Sequence, residues 1–253
     1  MFKRLLELLG NHFYFLGDLL RAARRYRFEW EEFLTQLSHV GVRSLPTTCT
    51  AGLFTGAIMA VQFHMQLKDF GAEAVLGGLN TSGTLREVGP VLIAFMLAGK
   101  VGAYTSAELG TMRVTDQFTA VECLGINPLS YLVFPRFLAV SISSVVLLIF
   151  GLVISIFGGM IAAAFVGGSN PQQFLSAIPR FATLSGVLLA LTKSVIFGAL
   201  MAQICCANGW WTTGGSVGVG KAVRRTATQS MVAIVIADFS ISWIFNGLQR
   251  YFE

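Results

Sequence analysis

Long apolar stretches separated by shorter polar ones dominate this chain from residue 46 onward. Each apolar stretch holds about 20 or more residues, the length that an α-helix needs to cross a bilayer. The pattern predicts five membrane-spanning helices, at about 46–67, 88–107, 137–166, 182–207 and 227–248. It therefore indicates an all-α membrane protein, because a helix satisfies its backbone hydrogen bonds within the segment that lies in lipid.

The third apolar stretch is long enough to raise the question of whether it crosses once or twice. About 30 residues of helix correspond to roughly 45 Å, and Gly158-Gly159 offers a place to divide the stretch. Each half would then be too short to cross a bilayer. We therefore predict one tilted helix.

The first 45 residues have a different pattern, in which apolar and charged positions alternate at helical spacing. They predict N-terminal amphipathic helices that lie in the membrane interface, with a cytosolic helical hairpin as the alternative. The chain is accordingly divided into 1–45, the interfacial helices, and 46–253, the five-span domain. The loop at 107–136 within that domain is too polar to cross.

Composition agrees with this class, since 54% of the 253 residues are hydrophobic and only 12% are charged. The distribution of basic residues predicts the orientation. With five spans and an internal N-terminus, the inner segments 1–45, 108–136 and 208–226 hold twelve of the eighteen Lys and Arg residues. The positive-inside rule then predicts a cytoplasmic N-terminus and an external C-terminus.

The stretch GSVGVGKA, residues 215–222, comes within one residue of the nucleotide-binding pattern G-x-x-x-x-G-K-[ST]. The hydroxyl that would hold Mg²⁺ is missing because Ala222 follows Lys221, and a predicted membrane helix precedes the stretch instead of a strand. We interpret it as a tight cytosolic turn into the fifth span, with its basic residues at the inner leaflet. Since the histidines and cysteines form no ligand set, we expect no cofactor and no metal in this chain.

The polar loop 107–136, which we call the coupling segment, predicts one or two short helices. Thr115 is the expected cap, Asn127-Pro128 the expected stop, and Pro135 the opening of the next segment. The loop is either an ordinary connection or a coupling helix that docks on a cytosolic ATPase. For the second interpretation the candidate contacts are Glu108, Gly110, Met112, Asp116, Val121, Glu122 and Leu124.

Two charged residues lie about ten residues deep in the fourth and fifth predicted spans, namely Lys193 and Asp238. A charge at the bilayer centre costs at least about 2.5–3.5 kcal/mol, so both side chains should face protein or a water-filled cavity. By depth they can pair with each other, and the simplest role of such a pair is to hold two helices in register. A moving charge relay is the alternative.

A second charged pair, Arg86 and Glu87, lies at the predicted outer end of the second span, just before Gly89-Pro90. It is either a solvated pair at a helix start or part of a lipid path. In a lipid path the cation would hold a phosphate and the carboxylate would orient or gate it. An apolar cavity for acyl chains would be lined by Phe54, Ile58, Val61, Leu92 and Phe95, a pattern that lipid-facing residues also give.

Three stretches, in order along the chain, resemble the MlaE/YrbE permeases, the membrane subunits of ABC transporters for phospholipids and related lipids. They are QLSHVGVRSLPTTCTAGLFTGAIMAVQ, then REVGPVLIAFMLAGKVGAYTSAELGTMRVTDQFTAVECLGINPLSYLVFPR, and finally TTGGSVGVGKA followed by DFSIS. The likeness covers about residues 29–247. Lys100 stands where the family more often shows Arg, KAVRRTATQ is more basic than expected, and GWWTTGG has two tryptophans where one aromatic residue is usual.

The resemblance implies a permease subunit without catalytic activity of its own. Such a subunit moves phospholipids between the inner membrane and a periplasmic carrier or the outer membrane, and so maintains outer-membrane lipid asymmetry. The competing interpretations are an intramembrane lipid-modifying enzyme and a membrane scaffold for lipid-binding partners.

The resemblance also implies partners and a location. The partners are a second copy of this chain, two ABC ATPase subunits that bind the ATP, in many systems a STAS-domain subunit, and a hexameric MCE-domain protein in the periplasm. Residues 107–128 then become the coupling helix. The location is the bacterial inner membrane, with the C-terminus in the periplasm, and no nucleic acid is expected as a partner.

Overall fold

The computed structural model describes residues 2–25 and 29–252. Within those ranges the chain is helical and contains no strand, which confirms the all-α class. The described α-helices are labelled α1 to α11, and from α2 onward they are joined by short turns or by single turns of 3-10 or π-helix. In order they are Phe2–Arg25, Trp30–Val40, Leu45–Lys68, Leu76–Gly83, Gly89–Leu97, Ala103–Val114, Gln117–Cys123, Phe134–Gly167, Pro171–Phe181, Leu184–Trp210 and Gly215–Phe252.

Five helical stretches of the described residues are long and apolar enough to cross a membrane, as the hydrophobic pattern predicted. The third is not divided, since α8 runs through Gly158 and Gly159 as one helix of 34 residues. Several stretches extend beyond the predicted bounds because helical hydrogen bonding continues where the apolar pattern stops. Their bounds are Trp30–Lys68, Glu73–Val114, Leu129–Gly167, Leu184–Trp210 and Gly215–Gly247.

The second span begins earlier than predicted. We placed its start at Val88, but α4 begins at Leu76 and the helix continues through a π-turn at Thr84–Val88 into α5. Gly89-Pro90 therefore does not open a helix, because a π-turn lets a helix pass a proline that would otherwise interrupt it. Arg86 and Glu87 accordingly lie inside a continuous helix, and the prediction that they stand at its start is wrong.

The glycine-rich stretch 215–222 is a second correction. We predicted a tight turn, but α11 begins at Gly215 and contains the whole stretch. The turn lies just before it, where Gly214 and Gly215 have φ angles of 87° and 64°, which glycine adopts without steric cost. Gly218 stays without a side chain because the turn folds back on it, so that a Cβ would overlap the carbonyl of Thr213.

The coupling segment contains the end of α6, the short helix α7 and the start of α8. Asp116 separates α7 from α6 and has a left-handed backbone conformation, with φ 57°. Thr115 is the C-cap of α6, and Asp116 occupies the N-cap position of α7, so the predicted capping role of Thr115 is wrong. Pro135 does not open the next helix either, because a π-turn at Leu129–Val133 precedes it and carries the helix past the proline.

Contacts group the described residues into two compact units. The first unit comprises the described residues up to Ser44, together with Ala98–Ser143 and Gly198–Ala233. The second comprises Leu45–Leu97, Ser144–Phe197 and the described residues from Ile234 onward. Apart from Leu45, the first unit thus takes in the described parts of all three segments that the charge pattern predicts on one side of the membrane. The linear division into 1–45 and 46–253 stays a prediction.

Aromatic residues hold α1 within the first unit. Phe15 of α1 is buried, and its ring centroid lies 5.6 Å from that of Trp211 and 6.5 Å from that of Trp210. Trp210 in turn stacks on Phe118 of α7, with centroids 5.0 Å apart. The tryptophan pair of the GWWTTGG stretch therefore contacts both the N-terminal helix and the coupling segment.

Small residues let α3 and α8 cross at very short range in the second unit. A Cβ at Gly52 would overlap the carbonyl of Gly151, and a Cβ at Gly56 would overlap that of Ser155. Glycines four residues apart lie on one helix face, and such faces allow helix backbones to approach closely in lipid. The crossing therefore depends on the absence of side chains at Gly52 and Gly56.

Replacing Gly56 with alanine tests this crossing. The added methyl group has to displace the backbone at Ser155, so we expect the free energy of unfolding to fall by about 1–3 kcal/mol. Gly247→Ala is the matched control, since a Cβ at Gly247 meets no atom within 4 Å. Denaturant unfolding in detergent measures both variants, and equal stability would contradict the close crossing.

Candidate functional site

The site is built around a carbonyl group that a proline leaves without its usual partner. In a regular α-helix the N–H of residue 90 would bind the carbonyl of Arg86, but Pro90 has no N–H. The π-turn shifts the local pattern, and the N–H of Gly89 binds the carbonyl of Thr84. The Lys193 ammonium group takes the missing place, donating to Arg86 O at 2.6 Å. A side chain of α10 thereby supplies a donor to a backbone carbonyl of the second span.

Lys193 is fully buried and has three acceptors for its ammonium group. Besides the carbonyl of Arg86, it binds Glu87 Oε2 at 2.9 Å and Asp238 Oδ1 at 2.7 Å. The contacts with Arg86 O and Glu87 Oε2 are hydrogen bonds, and the contact with Asp238 is an ion pair. Polar partners and counter-charges of this kind allow a charged lysine to lie inside a membrane-spanning protein.

The two carboxylates differ in their exposure. Asp238 keeps 17% of its side chain exposed, whereas Glu87 keeps 49%. Ser242 Oγ lies 3.1 Å from both carboxylate oxygens of Glu87. Asp238 and Ser242 are four residues apart on α11 and therefore lie on one face of that helix. We call Arg86, Glu87, Lys193, Asp238 and Ser242 the charged cluster; all five belong to the second unit.

The Arg86 side chain contacts Thr183, at the N-terminus of α10. Its Nη2 donates to Thr183 Oγ1 at 3.0 Å. The same hydroxyl accepts the N–H of Gly186 at 3.3 Å and lies 3.0 Å from Ser185 Oγ. A guanidinium group, two hydroxyl groups and the start of a helix together favour an anion, because each contributes a donor or a partial positive charge.

The four charged residues that the sequence analysis selected in the spans, Arg86, Glu87, Lys193 and Asp238, thus lie together in the charged cluster. Lys193 and Asp238 lie in contact, as their depth in the two spans suggested. Glu87 joins the same lysine and does not bind Arg86. The functional roles that we assigned to these residues stay predictions.

The apolar residues proposed to line an acyl-chain cavity lie on α3 and α5, two helices that pack against each other in the second unit. Phe54 and Ile58 are each 59% exposed and Leu92 is 38% exposed, while Val61 and Phe95 are partly buried. Exposed apolar side chains suit contact with lipid chains or with a second protein. Their place in a lipid path stays a prediction.

The residues proposed for ATPase coupling separate into two groups. Glu108 and Gly110 face the interior of the first unit, where Glu108 forms an ion pair with Arg136 and a Cβ on Gly110 would lie 2.9 Å from Thr212 Oγ1. Of the others, Asp116, Glu122 and Leu124 are exposed, and Met112 and Val121 are partly buried. The exposed group is the one that a docked partner can contact directly.

Sequence reasoning missed two polar members of the site, Thr183 and Ser242. Thr183 falls where α10 begins, and its position after Ala182 gave no sign that a distant arginine would bind it. Ser242 lies four residues after Asp238, a spacing that places both on one helix face. This spacing is the sequence signal that could have identified Ser242 as part of the site. The pairing of Lys193 with Glu87 had no signal in the sequence, because the two residues are 106 positions apart.

The fold and the charged cluster define a helical, multi-pass membrane protein with a buried ionic site. Residues 33–244 match the family model described as Permease MlaE. The chain belongs to this family, which confirms the resemblance seen in its sequence.

Curated relatives cover almost the whole chain. A probable ABC transporter permease of Synechocystis is 34% identical over 93% of this chain and 90% of its own length. The intermembrane phospholipid transport system permease protein MlaE of Haemophilus influenzae is 31% identical over 94% and 92%, respectively. The chloroplastic protein TRIGALACTOSYLDIACYLGLYCEROL 1 of Arabidopsis thaliana is 29% identical over 90% and 65%.

The structure predicts unequal effects for the two ends of the central ion pair. Lys193→Met leaves Asp238 and the carbonyl of Arg86 without their partner, so we expect a loss of about 3–5 kcal/mol in the free energy of unfolding. Asp238→Asn should cost less, about 1–3 kcal/mol, because Lys193 keeps Glu87. Unfolding in detergent measures both variants, with Thr192→Val, an exposed neighbour on α10, as the control.

Combining Lys193→Met with Asp238→Asn should recover part of the loss, because the neutral amide no longer leaves a charge unpaired. Additive losses would contradict a direct pairing. If Asp238→Asn left both folding and transport intact, the ion pair would have no role in holding the two helices in register.

Proposed function

We propose that this chain is the permease subunit of an ABC transporter that moves phospholipids between the inner membrane and a periplasmic carrier or the outer membrane. In this role it helps to maintain outer-membrane lipid asymmetry. Family membership and the name of the Haemophilus influenzae relative, a phospholipid transport system permease, support the proposal.

The observation that carries the proposal is the position of Arg86. A phospholipid has an anionic phosphate and two apolar chains, so a site for it needs a cation close to apolar surface. Arg86 lies in the helix that continues into α5, which carries Leu92 and Phe95, and α5 packs on α3, which carries Phe54. The guanidinium group would hold the phosphate while the apolar side chains contact the acyl chains.

Lys193 and Asp238 have a supporting role in this proposal. Lys193 binds the carboxylate of Glu87 and the backbone carbonyl of Arg86, and Asp238 binds Lys193. Together they would hold the backbone at Arg86 in place, so that the guanidinium group keeps its position. Because Glu87 is half exposed, its carboxylate is the group best placed to orient a lipid headgroup or to gate its passage.

ATP hydrolysis is assigned to a partner, and we propose that this chain itself binds no cofactor. Two ABC ATPase subunits would dock on the coupling segment, contacting the exposed residues Asp116, Glu122 and Leu124. The complete assembly would contain a second copy of this chain, a hexameric MCE-domain protein in the periplasm and, in some systems, a STAS-domain subunit. The location would be the bacterial inner membrane, with the N-terminus in the cytoplasm and the C-terminus in the periplasm, as the positive-inside rule indicates.

Substitution of Arg86 tests the phosphate contact. A charge-assisted hydrogen bond contributes about 1.5–3 kcal/mol, so Arg86→Ala should lower ATP-dependent phospholipid transfer by roughly ten-fold or more. Arg86→Lys should keep part of the activity, since it keeps the charge but not the fork of donors. Transfer between liposomes by the reconstituted complex is the measurement.

Arg180→Ala is the matched control for Arg86, because it removes an exposed arginine on the adjacent helix α9. An equal loss of transfer in both variants would show a general effect of charge and would contradict a specific phosphate site at Arg86. Conversion of phospholipid to another lipid by the complex would favour the alternative, an intramembrane lipid-modifying enzyme.

Native mass spectrometry tests where ATP binds. We expect two ATPase subunits for every two copies of this chain, with phospholipid retained after gentle extraction. We also expect Lys221→Ala to leave nucleotide binding by the complex unchanged, because Lys221 lies exposed on α11 and not in a nucleotide-binding loop. If the isolated chain bound ATP and Lys221→Ala abolished that binding, the assignment of ATP to a partner would be wrong.

A further inference from the structure

A single buried arginine joins three helical segments of the first unit. The guanidinium group of Arg136, whose side chain is only 3% exposed, binds Glu32 Oε1 through Nη1 at 2.7 Å and Glu108 Oε1 through Nη2 at 3.0 Å. Nη1 also donates to the carbonyl of Leu132 at 2.8 Å. The two carboxylates are therefore held on separate arms of one rigid, planar group.

Gln36 ties the same two carboxylates together from the other side. Its Nε2 lies 3.1 Å from Glu32 Oε1 and 3.2 Å from Glu108 Oε1. Gln36 is itself buried, with 4% exposure. We call Glu32, Gln36, Glu108 and Arg136 the arginine clamp.

Two residues of the clamp, Glu108 and Arg136, lie at the two ends of the coupling segment. Glu108 lies on α6, before α7, and Arg136 lies at the start of α8, after it. Their ion pair therefore joins α6 and α8, the two helices between which α7 lies in the chain. Glu32 and Gln36 come from α2, so the same arginine also binds the N-terminal part of the chain.

Helix α7 packs against α6 through aromatic and cation–π contacts. Phe118 of α7 is fully buried, and the Arg113 guanidinium group of α6 lies 5.7 Å from the centroid of its ring. Arg113 also lies 5.3 Å from the ring centroid of Trp210, on which Phe118 stacks. A displacement of α7 thus has to move α6, and with it Glu108.

Apolar residues at the positions of the clamp could give the same stability or a higher one. Two carboxylates share one guanidinium group, and buried ion clusters of this kind are often no more stable than well-packed apolar residues. Arg136 Nε and Glu108 Oε2 also have no hydrogen-bond partner among the described residues, which costs further free energy. A role in geometry accounts for such an arrangement better than a role in stability.

We propose that Arg136 is a positioning residue that passes movement of the coupling segment to the N-terminal helix α2, by holding Glu108 and Glu32 at once. This inference rests on the proposed function, in which an ATPase docks on the coupling segment. The clamp then determines how much lipid is transported for each ATP hydrolysed, without taking part in binding either one.

The test compares ATP hydrolysis with phospholipid transfer in the complete complex, reconstituted in liposomes. Glu32→Gln keeps the shape of the side chain but removes its charge, so it removes the ion pair between α2 and Arg136 while leaving the pair of Glu108 and Arg136 in place. We expect transfer per ATP hydrolysed to fall by about ten-fold, with the hydrolysis rate within about two-fold of the wild type. Glu31→Gln, the exposed neighbour on α2, is the matched control and should change neither rate.

An unchanged ratio in Glu32→Gln would overturn the proposal, whether both rates fell together or both stayed normal. Arg136→Lys gives an independent comparison, since lysine keeps the charge but lacks the two arms, and its ratio should also fall. A wild-type complex that hydrolyses ATP without moving lipid would instead count against the proposed function.

If these variants fail to assemble, a distance measurement on a complex with unchanged clamp residues still tests the proposal. Spin labels at Thr35 of α2 and Thr111 of α6, both exposed, report the distance between the two helices. The labels are placed in a chain with Cys49→Ala and Cys123→Ser, diluted with unlabelled chain. We expect the same distance distribution in the nucleotide-free and nucleotide-bound complex, and a shift between the two states would overturn the proposal.

Discussion

The contact between the Lys193 ammonium group and the carbonyl of Arg86 is the interaction on which the charged cluster depends. Pro90 removes the N–H that would bind this carbonyl, and in lipid an unpartnered carbonyl costs several kcal/mol. The lysine satisfies it, but a buried ammonium group then needs counter-charges, which Glu87 and Asp238 supply. The ion pairs of the charged cluster therefore accompany one missing backbone N–H.

The first unit also combines a π-turn, a proline and a buried basic residue that binds carboxylates. A π-turn again ends two residues before a proline, Pro135, and a basic residue next to it binds carboxylates from two other helices. The basic group here is the fork of Arg136, which reaches both carboxylates without leaving its own helix. π-turns commonly mark functional positions in helices, and in this protein Arg86 and Glu87 lie within the first of these two, while Arg136 lies just after the second.

The sequence predicted some parts of the site and failed at others for identifiable reasons. The depth of Lys193 and Asp238 in their spans indicated that each needed a polar partner, because lipid offers none. The same reasoning misplaced Arg86 and Glu87, since Gly89-Pro90 is typical of a helix start and the π-turn that carries the helix through it has no sequence signature. The glycines at 215–220 misled in a similar way, because only the first of them takes part in the turn.

The sequence by itself determined the class of protein, the number of spans and the family, because hydrophobic length and ordered motifs are local properties that each segment carries alone. Only the tertiary structure decided which charges meet: Lys193 with Glu87, and Arg136 with both Glu32 and Glu108. These partners are far apart in the chain and lie on different helices, so they come together only when the helices pack. Ion pairs of this kind act over a few ångströms, so the packing of the helices, and not the order of the residues, selects them.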